Sequence, residues 1–301
     1  MRRSYQVLQR VSRLPLAGAV VALSVAGGSV AARAGDAMPF LAHQAMYDLS
    51  LLKSSGGGAA VDSARGRMLY NFSGSVCEGY TSEFRQVSEL NGSEGRIALS
   101  DLRSTTWEDA EGKSFRFKID SRMNEGDSTV TDGIAERTGD HITVKLKEPV
   151  AKTFTIDGAT VFPTEQVRRI IAAAREGKSL LELSIYDGSD TGEKVYNTLT
   201  VIGRPIPGDQ ITRSPDSATA SDALKPVTRW PVTVSYYDRN AETKNGEQTP
   251  VYAMSFELYE NGVSRALTLD YGNFALAGAM GKFEVKETLP CKETPNKAAP
   301  K

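Results

Sequence analysis

The sequence predicts an all-β fold, a large antiparallel sheet interrupted by a single amphipathic helix. Three observations carry this reading: apolar and polar residues alternate strictly in segment after segment, turns rich in Gly, Asn and Asp separate those segments, and one stretch alone shows helical periodicity. Links this short fit hairpins, because parallel strands need long crossovers.

Taken in order, the first strand candidates are residues 45–52, 66–72, 80–90 and 96–107, with a turn at Asn91-Gly92. After the turn at Glu111-Gly112, Phe115, Phe117 and Ile119 alternate with Ser114, Arg116 and Lys118. Residues 129–137 follow, and past Gly139-Asp140 come Ile142, Val144 and Leu146 between polar neighbours. The helix is expected from about Thr164 to Glu176, where Val167, Ile170, Ile171 and Ala174 fall on one face. Thr164 is the expected N-cap, Glu165 and Arg175 suit the dipole, and Gly177 closes the end. Such a helix packs its apolar stripe over a sheet or into an open barrel end, as a plug or lid.

Strands resume at 180–186 and 195–202. Pro205, Pro207, Pro215 and Pro226 then mark residues 204–226 as a long loop. Beyond it, Trp230, Val232, Val234 and Tyr236 share a face, as do Tyr252, Met254, Phe256 and Leu258. Residues 264–270 and 274–285 complete a meander of more than ten strands, with a turn at Asn261-Gly262 between. The strands on both sides of the long loop look alike, so it reads as a connection within one domain.

The N-terminus reads as an export signal. Arg2, Arg3, Arg10 and Arg13 precede an apolar stretch from Leu14 to Ala26, and Ala32-Arg33-Ala34 supplies a small-x-small site, so cleavage is expected after Ala34. The apolar run is shorter than the ~20 residues of a spanning helix and is broken by glycines. The organisation is therefore a signal peptide over 1–34, a single β-domain over 35–291 and a disordered tail over 292–301. No transmembrane segment is expected in the mature chain, which is assigned to the periplasm.

Loss of five leader arginines leaves 31 basic residues against 37 acidic ones, a net charge near −6. That balance offers nucleic acid and anionic lipid head groups no attraction. Both cysteines, Cys77 and Cys291, lie in the exported part, where an even pair reads as a bridge. A redox-active pair would be closely spaced, as in C-x-x-C, and these are not.

Chemistry is sparse. The two histidines, His43 and His141, sit in no recognisable triad, and nucleophile-elbow, zinc-protease, phosphate-loop and dinucleotide motifs are missing. Asp190-Thr191-Gly192 matches the aspartic-protease triplet, yet that chemistry needs a second carboxylate and a buried strand before it. The same loop spaces Asp187, Ser189 and Thr191 like calcium ligands but has Thr198 where a Glu belongs, so it reads as an ordinary solvated turn. No catalytic residue, metal or cofactor is expected. The remaining candidates are aromatics that would line a cavity if the sheet curls around one: Trp107, Phe115, Phe117, Trp230, Tyr236, Tyr252 and Phe256. Inward aromatics more often simply fill a core.

Three blocks resemble the EipB family of periplasmic cell-envelope integrity proteins. Gly66-Arg67-Met68-Leu69-Tyr70 leads through Cys77-Glu78-Gly79-Tyr80 to Phe84-Arg85-Gln86. Residues Asp101 to Asp109, which contain Thr106-Trp107-Glu108-Asp109, continue to Gly112 and the Phe115-Arg116-Phe117 strand. Asn261-Gly262-Val263-Ser264-Arg265 and Asp270-Tyr271-Gly272-Asn273-Phe274 precede Cys291. The resemblance implies a β-spiral, a long antiparallel sheet curled like a broken barrel around a helix, with Cys77 bridged to Cys291. It also implies a role in keeping the envelope intact under stress, and together with the missing catalytic set and the exported β-architecture it leads to the expectation of a non-enzymatic protein acting through contacts with other periplasmic or envelope proteins. The alternative expectation is a carrier that holds a lipid or other amphiphile in the curved sheet.

Overall fold

The computed structural model describes residues 39–55, 61–92, 95, 97–212, 214–240, 248–288 and 291. The expected signal peptide and the expected tail lie outside the described residues. Those described belong to one compact unit, residues 37–301.

Among the described residues, fourteen strands form a single sheet in which every neighbouring pair is antiparallel. The first run is β1 (His43–Ser54), β2 (Val61–Ser75), β3 (Gly79–Gly92), β4 (Ile97–Glu108), β5 (Ser114–Met123), β6 (Thr129–Thr138), β7 (His141–Glu148) and β8 (Lys152–Asp157). Helix α1 (Pro163–Arg175) follows, and then β9 (Leu180–Ile185) and β10 (Tyr196–Ile202). The short α2 (Ser217–Ala220) precedes β11 (Arg229–Asp238), β12 (Tyr252–Tyr259), β13 (Ser264–Asp270) and β14 (Phe274–Val285).

The chain meanders from β1 out to β8, crosses through α1 to the opposite edge at β9, and meanders back until β14 pairs with β1. Edges β8 and β9 never form a ladder with each other. The segment after β8 makes only a bridge to β9: Val161 donates its N–H to the Ser184 carbonyl at 2.8 Å and accepts from Tyr186 N–H at 3.0 Å. The sheet therefore curls toward closure and stops, as a broken barrel does.

Period-two alternation fixes the register, because a slip of one residue would turn each buried row to solvent. On β1, Ala45, Tyr47 and Leu49 are buried while Asp48 and Ser50 are exposed. Ala45 pairs with Tyr70, and Tyr47 with Met68 and Met280. Strand β8 is absent from the sequence reading. Only Phe154 and Ile156 alternate within its six residues, and neither is fully buried, so the apolar signal is weak.

Helix α1 buries Ile170, Ile171, Ala173 and Ala174 in the main core with Trp230, Val232 and Leu258. Its cap differs from the expectation. The N-cap is Phe162, which offers no side-chain acceptor, and Thr164 lies inside the first turn. Instead Glu108, at the end of β4, accepts the backbone N–H of Thr164 at 2.6 Å and of Glu165 at 2.8 Å. A carboxylate from another strand thus satisfies two of the helix's orphan donors. The start of the helix is held further by Arg137, which donates to the carbonyls of Gly112, Gly158 and Thr160 and pairs with Glu165. At the other end Gly177, at φ +72°, turns the chain out of the helix as expected.

The proline-rich loop is anchored by two buried arginines. Arg229 donates to the carbonyls of Pro207, Gly208 and Gln210, and Arg265 to that of Ser214 and to Asp216, the cap of α2. Glu257 joins both guanidinium groups from β12. Loop carbonyls and carboxylates take up the donors of these buried guanidinium groups, and the loop is pinned in return.

Candidate functional site

The first two blocks that carry the family resemblance meet in space. Cys77 and Cys291 stand at disulfide distance, Cα atoms 5.8 Å apart, which fastens the turn between β2 and β3 to the chain beyond β14. Trp107 donates its indole N–H to the Glu78 carbonyl at 3.0 Å. Gly79, at φ +77°, has no Cβ because one would lie 2.8 Å from the Trp107 ring. Tyr80 stacks on Phe72 and meets Phe40 edge-on, and its partner across the ladder is Glu108, the carboxylate that caps α1. Glu108 is 2 % exposed; burial pushes its carboxyl up to about 7, against the pull of the two backbone N–H groups. Cys-Glu-Gly-Tyr and Thr-Trp-Glu-Asp therefore form one structural joint linking bridge, sheet and helix.

Inside the curl lies a cavity of about 810 Å³. Tyr47, Met68, Tyr70 and Phe84 form one wall, from β1 to β3. Tyr236, Tyr252, Met254 and Phe256 form another, from β11 and β12. Val167 of α1 and Leu267 and Leu269 of β13 also border it. Four tyrosine rings run in a row: Tyr196 to Tyr236 at 6.2 Å, Tyr236 to Tyr252 at 5.8 Å, and Tyr252 to Tyr271 at 5.2 Å between centroids.

The connection between β9 and β10 supplies polar groups at one end. Lys194 pairs with Asp190 at 2.9 Å and Asp238 at 3.2 Å, and the Tyr196 hydroxyl donates to Asp190 at 2.7 Å. Asp187 accepts the backbone N–H of Ser189 at 2.9 Å and has no ion pair among the described residues. Burial raises its carboxyl above the ordinary range, and Asp190 adds to the rise.

This connection departs in part from the reading of a solvated turn, since Asp190, Thr191 and Glu193 are exposed but the glycines between and beside them are not. Tyr186, Gly188, Gly192 and Val195 are buried. Gly188 lies flat on Phe117, where a Cβ would come within 2.4 Å of the ring, and Gly192 presses on Leu146 and Thr131. Thr131 donates its hydroxyl to the Asp190 carbonyl, and Tyr186 donates to that of Gly192. Both glycines have positive φ, near +73° and +78°, so the segment packs its backbone directly onto side chains of β5 to β7. Its polar composition disguises this in the sequence.

The seven aromatics proposed as cavity lining divide. Tyr236, Tyr252 and Phe256 border the cavity. Phe115 and Phe117 instead stack with Phe162 and Tyr186 in a separate dry core, because the β9–β10 connection and Phe162 cover them. Trp230 is core, beside α1. Trp107 faces the outer side of the sheet, in a groove of about 420 Å³ shared with Arg116, Lys118 and Lys147, with the Arg116 guanidinium 5.2 Å from its ring. Tyr47 and Tyr70 line the cavity as well, and their signals in the sequence are the alternations Ala45, Tyr47, Leu49 and Met68, Tyr70, Phe72. Nothing local signals Asp187, Tyr196 or Tyr271.

His43 is buried among Tyr70, Phe72 and Phe283, and burial lowers its pKa against the 2.7 Å bond from Nδ1 to the Leu41 carbonyl. His141 is exposed beside Asp140. Among the described residues no group of three or more His, Cys, Asp or Glu is placed to hold a metal ion, and no helix is long and apolar enough to cross a membrane.

Three comparisons relate this architecture to known proteins. The family model for EipB-like proteins matches residues 34–287. The chain is 33 % identical over 270 residues to the cell envelope integrity protein EipB of Brucella abortus, covering 87 % of this chain and 90 % of that protein. A crystal structure of a β-barrel-like protein with a domain of unknown function, also from Brucella abortus, superposes with a TM-score of 0.74 at 31 % identity. The match covers 83 % of this chain and all of that one.

Proposed function

The chain belongs to the EipB-like family, and from that premise we propose that it is a periplasmic, non-enzymatic protein that supports cell-envelope integrity under stress through contacts with other envelope proteins. The observation that carries the reading is likeness along nearly the whole length to a protein named for envelope integrity. The signal-like N-terminus supports the compartment. Deleting the gene should sensitise cells to detergent and to cell-wall antibiotics. Unchanged sensitivity, together with periplasmic pull-downs that recover no envelope protein, would overturn the proposal.

The cavity favours a second reading, in which the protein carries an amphiphile as part of the same role. A space of about 810 Å³ walled by aromatic and aliphatic side chains, with polar groups gathered at one end, has the size and make-up of a small-molecule site. Native mass spectrometry of protein purified without detergent should reveal retained ligand mass. A bare polypeptide mass, with no ligand taken up when lipid extract is added, would exclude it.

A further inference from the structure

We propose that the cavity receives an organic ammonium on an apolar body, the cationic head seated against the tyrosine row beside Asp187. This rests on the carrier reading and gives it a ligand class.

Two independent features converge on that chemistry. The rings of Tyr196, Tyr236, Tyr252 and Tyr271 follow one another with neighbouring centroids 5.2–6.2 Å apart, Tyr196 meeting Tyr236 edge to face and the other two pairs tilted by 43° and 47°. Aromatic faces attract cations, most strongly where water is displaced, and tyrosine cages are a recurring solution for alkylated ammonium groups. At the same end Asp187 is a half-buried carboxylate hydrogen-bonded to Ser189, with no cation paired to it among the described residues. The neighbouring cation, Lys194, is already committed to Asp190 and Asp238. Three carboxylates therefore face one ammonium, and the local excess is negative.

The rest of the cavity suits the body that such a head would carry. Met68, Phe84, Val167, Met254, Leu267 and Leu269 offer it little to hydrogen-bond with. An anionic head would meet like charge at the rim, and a neutral head would leave Asp187 without a counter-charge.

Calorimetric titration can decide the matter, with dodecyltrimethylammonium, dodecyl maltoside and dodecanoate each kept below its micelle concentration. The ammonium should bind about tenfold or more tighter than the maltoside, and dodecanoate weakest. Asp187→Asn keeps the acceptor for Ser189; it should erase the ammonium's advantage and leave maltoside affinity and melting temperature unchanged. Tyr252→Leu should weaken ammonium binding several-fold with little effect on the maltoside. Equal affinity for all three heads, or a preference untouched by either variant, overturns the ammonium assignment and leaves the carrier reading standing. Failure of all three to bind the unmodified protein overturns both.

Discussion

Two aromatic clusters line the inner face of the same curled sheet and end in opposite conditions. Around β5 to β7, Phe115, Phe117, Phe162 and Tyr186 stack into a dry core with Ile142 and Val144, all 3 % exposed or less. Around β10 to β13, Tyr196, Tyr236, Tyr252 and Tyr271 border a space of about 810 Å³. The strand members of both, Phe115 and Phe117 on β5 and Tyr236 and Tyr252 on β11 and β12, are written in the same alternating code. They differ in what covers them. The β9–β10 connection lays two glycines onto Phe117 and Leu146, then turns its aspartates, Lys194 and Tyr196 toward the cavity. A barrel interior becomes core where another segment fills it and a pocket where none does.

The comparison can be broken or sharpened by substitution. The largest effect is expected from Cys77→Ser, because both clusters hang on one sheet whose middle the bridge fastens. The chain-entropy account for a separation of 214 residues gives roughly 5 kcal/mol, an upper figure. Urea unfolding should show the loss in full, with reductant erasing the difference between variant and parent. If parent and variant melt alike under oxidising conditions, the bridge has no structural weight.

Next comes Phe115→Ala, which opens a void in packed surroundings and should cost about 3–5 kcal/mol. A loss under 1 kcal/mol in the unfolding midpoint would mean that the cluster is not dry core.

Glu108 sits where the two regions meet, since the helix it caps has Phe162 of the dry core as its N-cap residue and Val167 on the cavity wall. Its carboxyl titrates near 7 when folded against 4.5 when free, so the folded state binds the extra proton between those values. The resulting stability is complete below about pH 4.5 and is lost as pH rises through 7, on the order of 3 kcal/mol. Glu108→Gln should flatten that part of the pH–stability curve. A parent curve that rises from pH 5 to pH 7 by as much as the variant's would show that the carboxyl is not raised.

The smallest effect is expected from Tyr252→Leu. Its ring already borders empty space, so stability should change by less than about 1 kcal/mol. A cost equal to that of Phe115→Ala would abolish the contrast between the two regions.

Much of the sheet was legible in advance. Strands β13 and β14 fall where alternation put them, residues 264–270 and 274–285, and α1 begins one residue before its expected start. Periodicity is a local signal that survives because one face must be buried wherever the partner comes from. Strand β8 was missed because its short edge buries too little to leave a pattern. The cap of α1 was missed for another reason: its acceptor, Glu108, lies more than fifty residues away and becomes a neighbour only when β4 curls under the helix. Trp107 is a candidate for the lining by aromatic character alone, which says nothing of side. Its indole instead packs outside, over Gly79.

The sequence by itself determined the antiparallel meander and the single long helix, which periodicity sets, and its motifs carried the resemblance to the family, because residue identity and spacing belong to the chain alone. Tertiary structure alone decided which aromatics enclose space and which fill it, and that a loop of Gly, Asp and Ser presses its glycines onto the core. Whether a side chain meets a wall or a void depends on residues brought together from distant strands, and no local pattern records that meeting.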